Sequence, residues 1–165
     1  MTGSRSTMRP TARWLLRASA VLWAIWGIVH VLAGVMTLRL LLAGRTAEAI
    51  QGITARVPLE ELAGDYHPAA SAVLSQHAMN LAWFGLVTLI AAPFVWIGRR
   101  AMVYTAVLVG GMADLAFFIF IDLGGFAAPP GPQMTYICAG AIVTGLLGVR
   151  FAATAHGDET SDRVG

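Results

Sequence analysis

Four long apolar stretches dominate this chain of 165 residues, and polar segments separate them. An α-helix needs about 20 apolar residues to cross the hydrocarbon core of a bilayer. Each stretch is close to that length, so the pattern predicts membrane spans at about 18–42, 76–98, 101–122 and 133–149. Only Arg99 and Arg100 separate the second stretch from the third, which predicts a transmembrane hairpin with a tight turn.

The polar segments complete the predicted domain organisation. Residues 1–12 are predicted to be a flexible N-terminus, residues 13–152 a single four-helix transmembrane domain, and residues 153–165 a disordered tail. The outer loop, 43–75, is longer than most connections between helices. Its apolar residues recur at helical spacing between Thr46 and Val57, which predicts a short amphipathic helix there.

The composition supports an all-α polytopic membrane protein. The mean hydropathy is +0.69, with 57% hydrophobic and 12% charged residues, which leaves little charged surface for a soluble domain. The basic residues are all arginines, and the absence of lysine excludes a retinal-type Schiff base. Cys138 is the only cysteine, which excludes an internal disulfide and a CxxC redox pair. A net charge of +2 gives no reason to expect nucleic acid as a partner.

The arginines predict the orientation, because arginines beside membrane spans are retained on the cytoplasmic side. One side of the predicted bundle carries Arg5, Arg9, Arg13, Arg17, Arg99, Arg100, Arg150 and Arg163. The other side carries only Arg39, Arg45 and Arg56. Both termini are therefore predicted to be cytoplasmic, in a bacterial cytoplasmic (inner) membrane. Four of the arginines form a predicted basic surface toward the lipid head groups, with recognition of one anionic lipid as the sharper alternative: Arg13, Arg17, Arg99 and Arg100.

Six polar side chains fall within or beside the predicted spans, where lipid would not tolerate them. They are His30, His77, Asn80, Asp114, Asp122 and Tyr136. At a rise of about 1.5 Å per residue, His30, Asp114 and Tyr136 lie about 20 Å above the cytoplasmic surface. His77 and Asp122 lie at about 33 Å by the same count, with Asn80 between the two layers. All six belong to the outer half of the membrane, so they predict a polar pocket that opens outward.

Three interpretations of these polar residues remain open. The first is a structural network in which His30 and Tyr136 hold Asp114 and so fix the order of the helices. The second is a pocket for a small molecule or a lipid, with His30 and Asp114 as proton-active groups. The third is a metal site with His30, His77 and Asp114 as candidate ligands. A haem held by two histidines is disfavoured, because His30 and His77 differ by about 13 Å in height.

The first span, with Trp26-Gly27-x-x-His30-x-x-x-Gly34, resembles that of small four-span bacterial membrane proteins of the broad DoxX-like group. The glycines on either side of His30 predict the close approach of another helix. The resemblance implies an association with membrane redox complexes and with quinone-linked or thiol-linked oxidation. A single cysteine departs from direct thiol chemistry.

The sequence therefore predicts a binding protein for a small molecule or lipid, or an accessory subunit of a membrane complex. One alternative is a redox enzyme or electron-transfer subunit that uses a metal ion or a quinone. The other is a proton-coupled transporter formed by a homo-oligomer, since four spans enclose little volume. No nucleophile–base pair and no phosphate loop is found in the sequence, so enzymatic chemistry of the soluble type is not predicted.

Overall fold

The computed structural model describes the backbone of residues 9–161 and the side chains of residues 9–153. Within residues 9–161 the fold is entirely helical, without strands. The helices are α1 (Pro10–Leu42), α2 (Thr46–Ile53), α3 (Leu59–Leu62), α4 (Pro68–Trp96), α5 (Arg100–Phe117) and α6 (Gly131–Ser161), and a π-helical turn (Phe118–Asp122) continues α5. Four of these helices, α1, α4, α5 with its π-helical turn, and α6, are long and apolar enough to span a membrane.

The helices extend beyond the apolar stretches that predicted them. Helix α1 begins at Pro10 and α4 at Pro68, because proline fits the first turn of a helix. The sequence places residues 153–165 in a disordered tail, whereas α6 continues to Ser161. Residues 1–8 and 162–165 lie outside the described part of the chain.

Helices α1 and α4 are in backbone contact through glycine. A Cβ atom added to Gly27 would lie 2.7 Å from the backbone oxygen of Gly85, and one added to Gly34 would lie 2.6 Å from that of Ala78. Both values are shorter than any contact a real side chain tolerates. The close approach of another helix beside His30, predicted from the two glycines, is confirmed.

Two tryptophans fill the centre of the bundle. Helix α1 packs along α4 and α6, and α5 packs against the same two helices, so α1 and α5 face each other across the interior. Trp23 and Trp26 are fully buried there, with ring centroids 5.9 Å apart in an edge-to-face arrangement. Gly110 of α5 makes room for them, because a Cβ at that position would lie 2.3 Å from Cζ3 of Trp23.

The outer loop forms a cap over the end of the bundle that is opposite the Arg99–Arg100 turn. The predicted short helix is confirmed as α2, which ends at Ile53 and is followed by the single turn α3. A backbone hydrogen bond of 3.1 Å from the amide of Arg56 to the carbonyl of Phe126 ties this cap to the loop before α6. At the exposed start of α2, the hydrogen bond from Arg45 lowers the pKa of the Glu48 carboxyl.

Candidate functional site

A cavity of about 470 Å³ lies in the half of the bundle next to the cap. Side chains of α1, α4, α5 and α6 form its walls, and the cap contributes Gly52, Ile53 and Ala55 at its outer end. Its lining is mostly aliphatic and aromatic. Four side chains in the lining can form hydrogen bonds: His30, Thr37, His77 and Asp114. The volume and the small number of polar groups are typical of a site for a small organic ligand.

Asp114 is the most deeply buried acidic group of the site. Its side chain is only 5% exposed, and its Oδ1 accepts a hydrogen bond of 3.0 Å from Nε1 of Trp26. This bond joins α1 to α5 across the centre of the bundle. The hydroxyl of Thr135 on α6 is buried beside the same carboxyl. It forms no hydrogen bond of good geometry within the described residues, so a polar atom remains unpaired next to Asp114.

His30 is held in a fixed orientation by Trp26, one helical turn before it. Nδ1 of His30 lies 2.8 Å from the backbone oxygen of Trp26. The two rings stack with their centroids 3.5 Å apart and their planes 19° from parallel. A carbonyl oxygen can only accept a hydrogen bond, so Nδ1 carries the hydrogen. In the neutral ring Nε2 is therefore left as a hydrogen-bond acceptor.

Tyr136 does not belong to the site, and its predicted contact with Asp114 was wrong. Its side chain is 74% exposed on the outer surface of α6. The prediction matched the height of Tyr136 to that of Asp114 but left the rotation of the helix undetermined. Successive residues of a helix point about 100° apart, and it is Thr135 that faces Asp114.

Asn80 and Asp122 are also absent from the cavity lining. The amide oxygen of Asn80 accepts a hydrogen bond of 3.3 Å from Nε1 of Trp83, on the exposed side of α4. In a regular α-helix Asp122, two turns after Asp114, would lie on the same face. The π-helical turn Phe118–Asp122 breaks that spacing, because a π turn holds more residues than an α turn. Phe117, Phe120 and Ile121 line the cavity there in place of Asp122.

Two residues around Asp114 are not predicted from the sequence to belong to the site: Trp26 and Thr135. Trp26 lies one helical turn before His30 on the same face of α1, where a tryptophan indicates packing before it indicates a site. Thr135 could have been found from the small residues that mark the inner face of α6. Cys138 and Ala141 are buried on that face, and Thr135 precedes Cys138 by three residues, which returns to the same side of a helix.

The structure does not bring together the predicted metal ligands. Within the described residues, no group of three His, Cys, Asp or Glu side chains is close enough to hold a metal ion. His30, His77 and Asp114 all contribute to the cavity wall, but they do not converge on one point. The wall therefore offers separate hydrogen-bonding groups to an organic ligand.

The predicted basic surface lies at the other end of the bundle, around the turn between α4 and α5. The guanidinium carbon of Arg17 lies 5.0 Å from the ring centroid of Trp96, an arrangement that stabilises a cation. Arg13, Arg99 and Arg100 are exposed. Their positions suit contact with lipid head groups.

Comparison with known proteins yields no relative. No protein-family model matches the chain, and no curated protein and no solved structure matches it either. The class of protein is therefore defined by the fold and the site alone: within the described residues, a helical bundle with four helices long and apolar enough to span a membrane and a cavity in one half of the bundle.

Proposed function

We propose that this protein binds a small amphiphilic molecule in the cavity of its outer half. The observation that carries the proposal is the composition of the cavity wall. About 470 Å³ is enclosed mainly by apolar side chains, and the polar groups His30 and Asp114 are fixed in orientation by Trp26. An apolar chain can fill such a space while a polar head reaches the fixed hydrogen-bonding groups.

Filling part of the cavity is expected to weaken this binding. Ala33 lines the cavity, and Ala33→Leu would place a larger side chain in it. We expect the affinity of the purified protein for dodecanol, measured by equilibrium dialysis in mild detergent, to fall at least about tenfold. The matched control is Ala18→Leu, which makes the same change at an exposed position of the same helix. Its affinity should equal that of the wild type.

Two results would reject the proposal. If the wild type binds no more dodecanol than empty detergent does, the cavity has no such ligand. If Ala33→Leu binds as well as Ala18→Leu, the amphiphile adsorbs to the outer surface of the helices, and the cavity is not its site.

We further propose that the protein lies in a bacterial cytoplasmic membrane with both termini in the cytoplasm, so that the cavity belongs to the outer half of the bilayer. The asymmetry of the arginines supports this orientation. A cysteine at Gly64, in the outer loop, should react with a membrane-impermeant maleimide in intact cells. A cysteine at Ala101, near the Arg99–Arg100 turn, should react only after the membrane is opened. Labelling in the reverse order would contradict the orientation.

These substitutions suit the test because neither disturbs packing. A Cβ added to Gly64 meets no atom within 4 Å, and Ala101 is exposed. The natural Cys138 is 2% exposed in the bundle and gives a low background.

A role in redox chemistry, a transporter formed by a homo-oligomer and the resemblance to the DoxX-like group remain predictions from the sequence. The carboxyl and the imidazole in the cavity favour ligand binding.

A further inference from the structure

The polar groups of the cavity lining include several hydrogen-bond acceptors and no lysine or arginine to pair with them. The lining contains one carboxyl, two imidazoles and one hydroxyl, but neither lysine nor arginine. The cavity lining therefore offers hydrogen-bond acceptors and contains no fixed cation of its own.

Asp114 lacks the partner that a buried carboxylate ordinarily has. Among the described residues its hydrogen bond of good geometry comes from Trp26, and the hydroxyl of Thr135 lies beside it; both groups are neutral. Within residues 9–153 no arginine or histidine forms an ion pair with it. An ionised carboxyl in a membrane bundle is costly unless a cation compensates its charge. A cationic ligand would supply that compensation from the cavity.

His30 adds a second acceptor with a defined direction. Its Nδ1 hydrogen is used by the carbonyl of Trp26, and stacking on the Trp26 ring fixes the plane of the imidazole. In the neutral ring Nε2 accepts hydrogen bonds, and no partner among the described residues occupies it. Trp26 thus orients both acceptors, the carboxyl of Asp114 through its indole and the imidazole of His30 through its backbone.

We propose that the amphiphile bound by this cavity carries a protonated amine as its head group. The ammonium group is a cation with several N–H donors. It would pair with the carboxylate of Asp114 and donate a hydrogen bond to Nε2 of His30. The apolar chain would lie against Leu81, Phe117 and Met134. This inference rests on the proposed function, and it adds the charge and donor character of the ligand.

The test compares three amphiphiles with the same chain and different head groups: dodecylamine, dodecanol and dodecanoate. Binding to the purified full-length protein is measured at pH 7 by equilibrium dialysis in one mild detergent. We expect dodecylamine to bind at least about tenfold more tightly than dodecanol, and dodecanoate to bind most weakly. Each affinity is corrected for partition of that amphiphile into the detergent, measured by dialysis without protein, so that the three head groups can be compared on the wild type.

Asp114→Asn removes the charge and keeps an oxygen for the indole of Trp26. We expect it to weaken dodecylamine binding at least about tenfold and dodecanol binding much less, because only the amine pairs with the charge. The purified Asp114→Asn variant should unfold at close to the same temperature as the wild type. If the variant fails to fold, the comparison of the three head groups on the wild type still decides the question.

The outcomes separate the inference from the function on which it rests. If none of the three amphiphiles binds, or if Ala33→Leu affects none of them, the proposed function fails. If all three bind with equal affinity and Ala33→Leu blocks them, the cavity binds amphiphiles and the cationic preference is wrong. Tighter binding of dodecanol or of dodecanoate than of dodecylamine would overturn the inference outright, since the first indicates a protonated Asp114 and the second a cation at the site.

Discussion

Gly85→Ala is expected to destabilise the bundle by about 1–3 kcal/mol, the range for overpacking a closely packed interior. The added Cβ atom would lie 2.6 Å from the backbone oxygen of Gly27 and 2.8 Å from the backbone nitrogen of Val31. Backbone atoms cannot rotate away as the end of a side chain can, so α1 and α4 would have to separate. The same Cβ would lie 3.0 Å from Cβ of His30, so the separation would also displace His30 from the cavity.

The matched control is Gly111→Ala. Its Cβ would meet only Cδ1 of Ile142, at 3.2 Å, and that atom is the end of a flexible side chain. Both substitutions gain the same helix propensity, so the difference between them isolates the contact of α1 with α4. The measurement is reversible unfolding in mixed detergent–SDS micelles. Equal midpoints for the two variants would show that the two helices do not approach as closely as the structure has them.

The contact of α1 with α4 is also the part of the fold that the sequence predicts best. Long apolar stretches must lie in lipid, and glycines on one face of a span mark where another backbone can approach. Gly27 and Gly34 satisfy both conditions, and both are buried against α4. The reason is physical: the spacing of small residues along a helix determines which face can approach a neighbour.

The residues that form the site were harder to predict. The height of a residue along a helix does not determine the direction in which its side chain points around the helix axis. Counting residues gives the height of Asp114 and of its neighbours. It does not say which side of α6 faces the interior, so Tyr136 was chosen and Thr135 was overlooked. The buried positions Cys138 and Ala141 carry the missing information, but they become informative only once they are known to face α1.

Two further features depend on tertiary structure that no local pattern indicates. The π-helical turn at Phe118–Asp122 changes the spacing on α5, and its sequence is as apolar as the α-helix before it. The cap over the cavity depends on the hydrogen bond from Arg56 to Phe126, which joins two loops far apart in the chain. Heights and faces extrapolated from regular helices therefore fail near the capped end of the bundle, where the cavity lies.

Removing the indole N–H of Trp26 should show how much the hydrogen bond to Asp114 contributes to the free energy of unfolding. Trp26→Phe keeps a buried aromatic ring but leaves the carboxyl, which is 5% exposed, without its donor. We expect a loss of about 1–3 kcal/mol in the free energy of unfolding, since an unpaired buried polar group carries its full desolvation cost. Asp114→Ala should also destabilise the protein, because it leaves the indole nitrogen without an acceptor.

The double variant should be less destabilised than the sum of the two single variants. Once Trp26→Phe has removed the donor, losing the acceptor no longer leaves a buried group unpaired. We expect a coupling free energy of about 0.5–3 kcal/mol, the range for residues in direct contact. A matched control cycle uses Trp83→Phe with Asp114→Ala. Trp83 is 46% exposed and donates a hydrogen bond to Asn80. That cycle should therefore show a coupling free energy within about 0.5 kcal/mol of zero.

Equal coupling free energies in the two cycles would mean that Trp26 does not hold Asp114. The fixed geometry proposed for the ligand site would then be wrong as well. A large coupling with Trp26 alone supports a double role for Asp114. Its oxygen then stabilises the contact of α1 with α5, and its charge is left for the ligand. Asp114→Asn separates these roles, because the amide keeps an acceptor for the indole and removes the charge. That variant should keep most of the stability that Asp114→Ala loses while binding dodecylamine poorly.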